Sequence, residues 1–348
     1  MNAAVITRQA EAGAVSGVWE CVKDWPEAQE PGPGLAQVRI EASAFNRMDL
    51  WVSMGVPGLE LEYPRVSGCD ACGVVESVGA GVDDSWVGRR VIMNAAMALS
   101  ERSRPDNPTG ATLAPRYELL GEHHHGAHCE RLNCPVANLQ DVGDADPTEA
   151  AAFGLVGLTA YGMVRKARVR PGQLVLITGI GGGVATAALS ICKWLGCPVV
   201  VTSRHRWKLD RAQELGADHV IHDTRQDWSK EIREWTHKRG VDVCIDSVGR
   251  PVHMHCIKSL ARGGCFVTCG NTAGAHTETN LAHVFWKQLR LLGSTMGSRD
   301  EFAEVCALYR AGHVGPVVDE VLPWKSAPEG VLKLEQGEQF GKIVLRWS

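Results

Sequence analysis

The sequence predicts an α/β fold in two parts, a doubly wound parallel sheet and a β-rich domain, and three observations carry that expectation. A strand, a tight turn, a helix and a second strand run from Gln173 to Arg204, QLVLITGIGGGVATAALSICKWLGCPVVVTSR. From about Ala151 onward helices alternate with short apolar strands, the pattern of parallel strands covered by helices on both faces. Residues 1 to about 95 instead read as short strands between turns, with strict apolar/polar alternation over Ala36–Ala42, as in half-buried antiparallel strands.

Leu174–Ile177 is an apolar run of strand formers, glycines stand at Gly179, Gly181, Gly182 and Gly183, and Ala185–Leu195 has helix-forming composition. Gly179 lets the chain turn, Gly181 or Gly182 lets backbone approach a pyrophosphate, and Ala185 lets the helix pack close to its strand. Gly183 and Val184 open that helix, whose N–H groups and positive end attract phosphate. The unit therefore reads as a dinucleotide site. The next strand, Val199–Thr202, ends where such folds read the adenosine ribose. Ser203 stands there with no carboxylate, Arg204 follows, and Arg206 and Lys208 open the next helix. Ser203, Arg204 and Lys208 suit a 2′-phosphate, so NADPH is expected over NADH.

The remaining elements fall in order. Strands are expected at Ala3–Ile6, Gly73–Val78 and Arg90–Met93, with a turn at the PGPG of residues 31–34. Asn94 to Tyr117, polar and proline-rich, reads as a surface excursion. Beyond the glycine unit, helices are expected at Trp207–Leu215, Trp228–His237 and Ile257–Ala261, and strands at Val241–Asp246 and Cys265–Cys269. Phe340–Trp347 reads as an alternating strand that returns to the β-rich domain.

Length and composition limit the classes. The 348 residues suit about two domains, and a net charge of −4 advertises neither nucleic acid nor an acidic membrane surface. Twelve scattered cysteines, several in apolar runs, read as reduced buried thiols rather than a disulfide scaffold. The N-terminus is too weakly apolar for a signal sequence and no run is long enough to span a bilayer, so a cytoplasmic protein is expected.

Several motifs together resemble the medium-chain dehydrogenase/reductase superfamily. They are AFNRMDLW at 44–51, SGCDACGVVESVGAGV at 67–82, VGRRV at 87–91, GLTAYG at 157–162, the glycine turn, ELGAD at 214–218 and FGKIVL at 340–345. The resemblance implies a GroES-like (chaperonin-10-like) domain over 1–156 and 296–348, a Rossmann domain over 157–295, and a reaction site in the cleft between them. It also implies a homodimer, through the strand near Gln288–Leu292, acting on a small-molecule substrate. Zinc members hold a catalytic metal at positions that here look like Asn46, Cys69 and Leu155, and relay the alcohol proton through a hydroxyl that here looks like Met48. Only Cys69 of these can bind zinc, and a catalytic site needs three protein ligands. The four-cysteine structural lobe would fall between Asn94 and Tyr117, which contains no cysteine. No metal is expected; an aberrant site from Cys69, Asp70, Cys72 and a histidine is the alternative.

The expected chemistry is then hydride transfer to an apolar enone or quinone, which needs hydrogen bonds to the developing enolate rather than a Lewis acid. By resemblance Asn46 lies beside the nicotinamide, Asp49 and Trp51 line the same site, and Arg47, Thr159, Gly270 and Asn271 join the cofactor contacts. Trp51 stands where related reductases often carry a Tyr; its bland reading is a core aromatic. His123 and His125, in the tract Leu119–Cys129, match the loop that lines the substrate, with a solvated polar loop as the bland reading. The alternatives are an alcohol dehydrogenase or carbonyl reductase with an atypical site, or a non-catalytic nucleotide-binding protein on the same fold.

Overall fold

The structure is a computed structural model that describes residues 1–97, 110–114, 117–224 and 227–347. Its chain separates into two compact units, one of Met1–Leu158, Ser298–Gly312 and Pro316–Ser348, the other of Thr159–Gly297 and His313–Gly315.

The first unit is β-rich. It opens with β1 (Ala3–Ile6), β2 (Trp19–Val22) and the ten-residue β3 (Leu35–Ala44), then a short helix α1 (Arg47–Met54) and β4 (Arg65–Val66). There follow β5 (Ala71–Val78), β6 (Arg90–Met93), β7 (Ala96–Met97), β8 (Glu118–Leu119), β9 (Arg131–Pro135) and β10 (Leu139–Asp141). In β3 the side chains alternate between buried and half-buried up to Ala42. The strand pairs antiparallel with β5 and β9, as its alternation predicts. The helix α2 (Pro147–Ala167) leads out of this unit.

The second unit carries a six-stranded parallel sheet. Its chain runs β11 (Val175–Ile177), α3 (Gly183–Trp194), β12 (Val199–Ser203), α4 (Arg206–Glu214), β13 (His219–His222), α5 (Ser229–Trp235) and β14 (Val241–Asp246). It continues through α6 (Arg250–Ser259), β15 (Leu260–Thr268), α7 (Leu281–Lys287) and β16 (Arg290–Gly293). The strand order β13-β12-β11-β14-β15-β16 reverses direction at β11, with parallel pairing throughout. Ligands of such sheets bind beyond the strand ends at that reversal, and the glycine turn follows β11 there. Continuous apolar runs suit strands covered on both faces: Val175, Leu176, Ile177 and Val199–Val201 are all fully buried. Leu176, Val200, Ile221, Trp228, Ile232 and Phe266 belong to one core cluster, each side chain contributing about 1.5–3 kcal/mol of burial.

The chain then returns to the first unit through α8 (Arg299–Arg310), β17 (Val318–Pro323), α9 (Ala327–Gln336) and β18 (Lys342–Arg346). β18 lies between β3 and β17, inside the sheet. Four successive residues, Lys342–Leu345, are buried, so the alternating half-buried strand expected for the tail is corrected to an interior one.

Two further expectations are corrected. The helix expected over Ile257–Ala261 runs instead from Arg250 to Ser259, because Gly249 (φ 89°) turns the chain and Pro251 starts the helix; Leu260 and Ala261 already belong to β15. The excursion expected from Asn94 begins inside the fold. Asn94–Met97 is buried, pinned by Asn138 Nδ2, which donates to the carbonyls of Asn94 (2.8 Å) and Ala96 (2.7 Å). The rest of that stretch lies outside the described residues except for 110–114 and Tyr117. All twelve cysteines are unpaired, and all but Cys21 and Cys269 are buried. Among the described residues no helix is long and apolar enough to cross a membrane.

Candidate functional site

In the first unit the start of α1 gathers two linked polar groups. Asn46 caps the helix in an extended conformation, and its backbone N–H donates to Asp49 Oδ2 at 2.7 Å. Asp49 is fully buried; its Oδ1 accepts the Ser67 hydroxyl at 2.6 Å and lies 3.5 Å from His128 Nε2. Burial acts to raise the Asp49 pKa, but His128, Ser67 and the Asn46 N–H together outweigh it and hold the carboxyl below its ordinary value. His128 is fully buried between Phe45 and Trp19, and Ser43 Oγ lies 2.8 Å from its Nδ1. Trp347 Nε1–H donates to the same Oγ at 2.8 Å, so the Ser43 hydroxyl is free to donate to Nδ1. That arrangement assigns the ring proton to Nε2, facing Asp49. Gly68 makes this packing possible: its φ is +104° and a Cβ there would meet the His128 ring at 2.9 Å.

The second group surrounds a buried lysine. Lys342 Nζ donates to Asn46 Oδ1 at 2.6 Å and to Asp70 Oδ2 at 3.0 Å, with the lysine side chain 3% and the aspartate 1% exposed. Asn46 Nδ2 lies 3.2 Å from Asp70 Oδ2 and 3.3 Å from both Cys69 Sγ and the Ala44 carbonyl. Asp70 Oδ1 accepts the Leu155 N–H at 2.7 Å. Of the three positions that the resemblance gives to metal ligands, Asn46 meets the lysine–aspartate pair with its side chain, Leu155 with its backbone N–H, and Cys69 only through its thiol on Asn46 Nδ2. Removing one partner of such a buried pair costs about 3–5 kcal/mol. Burial, then the charges of Asp49 and Asp70, push the Cys69 thiol well up, which leaves it protonated. Cys72, three residues beyond Cys69, has Arg90, Glu41 and Asp146 as its charged neighbours and does not join the cluster. Among the described residues no group of three or more His, Cys, Asp or Glu side chains is placed to hold a metal. A zinc ion would find here one thiol and one carboxylate already bound to an ammonium, which does not make a three-ligand site.

The other expected residues of this unit stand apart from that pair. Trp51 is 38% exposed on α1, which corrects its reading as a core aromatic. Arg47 opens α1, with Nη2 3.7 Å from the Cβ position of Gly337. Met48, at the relay position, is buried and carries no hydroxyl. The histidines of the tract do not converge. His123 Nδ1 accepts the Leu119 N–H at 3.1 Å, His124 pairs with Glu118 at 3.1 Å, and His125 Nδ1 accepts the Val66 N–H at 3.3 Å with Trp25 against its ring. Burial, aided by neighbouring positive charge, lowers the pKa of both His123 and His125. Both residues are exposed, so the reading of the tract as a solvated polar loop stands beside the functional one. The tract histidine that reaches Asp49 is His128, and nothing in the sequence separates it from its neighbours.

In the second unit the glycine turn has the backbone its sequence demands. Gly179 (φ 63°) and Gly181 (φ 109°) adopt left-handed conformations, and Gly182 caps α3 without a side chain. The N–H groups of Gly183, Val184 and their neighbours thereby keep no side-chain cap acceptor, and α3 points its positive end at the turn. Lys208, from α4, lies across the turn, its Nζ 3.4 Å from the Cβ position of Gly181. Ser203 ends β12 and its Oγ accepts the His205 N–H at 3.2 Å; Arg204 is exposed. Sequence reasoning missed Asp223, which follows β13. It accepts the Thr202 hydroxyl at 3.1 Å, its N–H bonds the Ser203 carbonyl, and burial raises its pKa. Thr159 is buried in α2, while Gly270 and Asn271 follow β15, with Asn271 exposed. The uncapped helix end, the glycine backbone and the cations beside it fit a dinucleotide phosphate.

Comparison with known proteins follows the same division. Residues 32–144 match the family described as alcohol dehydrogenase GroES-like domain, and residues 183–311 match the zinc-binding dehydrogenase family. A crystal structure of an NAD-dependent alcohol dehydrogenase superposes with a TM-score of 0.91 at 37% identity over the whole of both chains. The 2-haloacrylate reductase of a Burkholderia species is 31% identical over 278 residues, 78% of this chain and 74% of that protein. The acryloyl-coenzyme A reductase of Sulfurisphaera tokodaii is 27% identical over 340 residues, 92% and 95% of the two chains. Motifs, fold and relatives agree: the chain belongs to the medium-chain dehydrogenase/reductase superfamily and is an oxidoreductase of that type, a GroES-like domain joined to a Rossmann parallel sheet.

Proposed function

We propose that this oxidoreductase works without zinc and uses NADPH to reduce an apolar α,β-unsaturated carbonyl or quinone at its conjugated double bond. The observation that carries the reading is the buried Lys342–Asp70 pair joined to Asn46. An ammonium fills the charge requirement that a divalent ion meets elsewhere. Asp70 and the Asn46 oxygen already engage Lys342, which competes with a metal for the same lone pairs. A site that lacks a Lewis acid suits conjugate reduction, because the enolate needs only hydrogen bonds and a later proton. The names of two relatives, 2-haloacrylate reductase and acryloyl-coenzyme A reductase, point to acrylic substrates.

A bound NADPH supplies the hydride. Gly179, Gly181, Gly182 and the first N–H groups of α3 hold its pyrophosphate, Ser203, Arg204 and Lys208 hold its 2′-phosphate, and Arg47, Thr159, Gly270 and Asn271 complete the contacts. Asn46 takes the substrate oxygen, with Asp49 fixing the turn that presents it and Trp51 as an apolar wall. His123 and His125 border the substrate. Because each accepts a backbone N–H at Nδ1, each neutral ring carries its hydrogen on Nε2 and can donate a hydrogen bond to the substrate oxygen.

A second reading, an NAD-dependent alcohol dehydrogenase or carbonyl reductase with an unusual site, draws on the 37% identical NAD-dependent relative and on Asp223 beside Ser203. Steady-state oxidation of NADPH and NADH over a panel of enones, quinones, aldehydes and alcohols, after dialysis against a chelator, separates the two. Turnover of enones or quinones that survives chelation supports the proposal. Turnover confined to aldehydes and alcohols, lost with the metal and restored by zinc, contradicts it.

A further inference from the structure

We propose that Lys342 is a positioning residue that makes Asn46 the oxyanion donor of this enzyme, an inference that rests on the conjugate-reduction reading. An asparagine amide can turn either way, and the two orientations differ in whether a donor or an acceptor faces the substrate. Here the choice is forced. Lys342 has only donors, so its 2.6 Å contact requires the Asn46 oxygen on its side and leaves the NH₂ as the end of the amide that can donate. Asp70, bonded to both Lys342 and Leu155 N–H, holds the ammonium in place.

The two ends of the amide are held very differently. The oxygen end is short and charge-assisted. The nitrogen end has two hydrogens facing three acceptors at 3.2–3.3 Å, all longer than the usual 2.9–3.0 Å. Exchanging one of these long contacts for a substrate oxygen costs little. The ammonium also draws electron density toward the amide oxygen, which strengthens the N–H groups as donors, as linked hydrogen bonds do.

In the step itself, hydride adds to the β-carbon of the enone and the nicotinamide is oxidised. The former double-bond pair moves between the α-carbon and the carbonyl carbon, and the carbonyl oxygen takes the negative charge. The Asn46 N–H meets that oxygen while Lys342 keeps all its protons. Water then protonates the α-carbon as the oxygen gives up its charge.

Lys342→Met alone strands the Asp70 charge, so the kinetic variant is the pair Lys342→Met/Asp70→Asn, checked for folding by circular dichroism. On an enone that the wild type reduces, Asn46→Ala is expected to lower kcat about 10²-fold, and the pair variant at least tenfold, with KM changed far less. Combining all three substitutions is expected to add little to Asn46→Ala, because Lys342 acts through Asn46. Wild-type kcat in the pair variant, or losses that simply multiply, overturns the proposal. If the wild type reduces no enone or quinone, the reading of the reaction fails, and a substrate-free measurement still decides the role of Lys342. The ¹H–¹⁵N side-chain signals of Asn46, identified by their loss in Asn46→Ala, are compared between Asp70→Asn and the pair variant. Upfield movement of the amide protons when the ammonium is removed is expected; unchanged signals overturn the polarisation.

Discussion

Asp49 accepts hydrogen bonds from the Asn46 N–H and the Ser67 hydroxyl in a fully buried place, with His128 Nε2 3.5 Å away, and its substitution is the sharpest stability test at the level of single residues. Asp49→Asn keeps the shape but offers one acceptor oxygen, so either the Asn46 N–H or the Ser67 hydroxyl loses its partner. The expected destabilisation is about 1–3 kcal/mol, read from urea unfolding. The pH dependence has a definite sign. The folded pKa of Asp49 lies below its unfolded value, so its contribution is complete above the unfolded pKa and is lost as pH falls through the folded one. Wild-type stability is therefore expected to drop more steeply than that of Asp49→Asn in the acid range at and below the ordinary carboxylate pKa; parallel curves contradict the account. Asn46 and Asp49 were legible because they sit in a recognisable motif. Lys342 was not: in an alternating strand a lysine reads as a solvent-facing side chain, and only the third dimension brings Asp70, 272 residues away in sequence, beside it.

Among the elements, the glycine turn between β11 and α3 and the end of β12 carry the cofactor expectations. Gly181→Ala forces a residue with a Cβ to φ +109° and presses it on Lys208, a backbone strain of about 1–3 kcal/mol. Binding of either dinucleotide, followed by fluorescence titration, is expected to weaken at least tenfold. Arg204→Ala is expected to weaken NADPH alone, since only the 2′-phosphate offers Arg204 a charged partner. Wild-type affinity at least tenfold tighter for NADPH, about 1.4 kcal/mol, is expected with it; equal affinities favour the reading in which Asp223 takes the ribose. The turn was readable because glycine spacing between apolar strands reports backbone geometry directly. The start of α6 and the interior place of β18 were less so. Gly249 and Pro251 set the former, and a buried polar cluster, invisible to hydropathy, sets the latter.

For the whole molecule, the parallel sheet ends in the exposed edge strand β16, and α7 just before it presents Leu281, Phe285 and Trp286, each 68–71% exposed, with Leu291 of β16 at 40%. An apolar edge strand invites a partner strand, and we propose that a second copy covers it in a homodimer. Sedimentation is expected to give a dimer in the wild type and a monomer for Leu291→Lys/Phe285→Glu; a monomeric wild type contradicts the assembly. The central claim, metal-free hydride transfer to a conjugated carbon, is tested most directly by the fate of the label. NADPH carrying deuterium at the transferred position of C4 is incubated with the chelator-treated enzyme and an enone, and the product is read by NMR. A saturated carbonyl compound deuterated at its β-carbon, formed with zinc far below one per chain, is the expected result. An allylic alcohol with deuterium on the former carbonyl carbon, formed only when zinc is restored, contradicts the account.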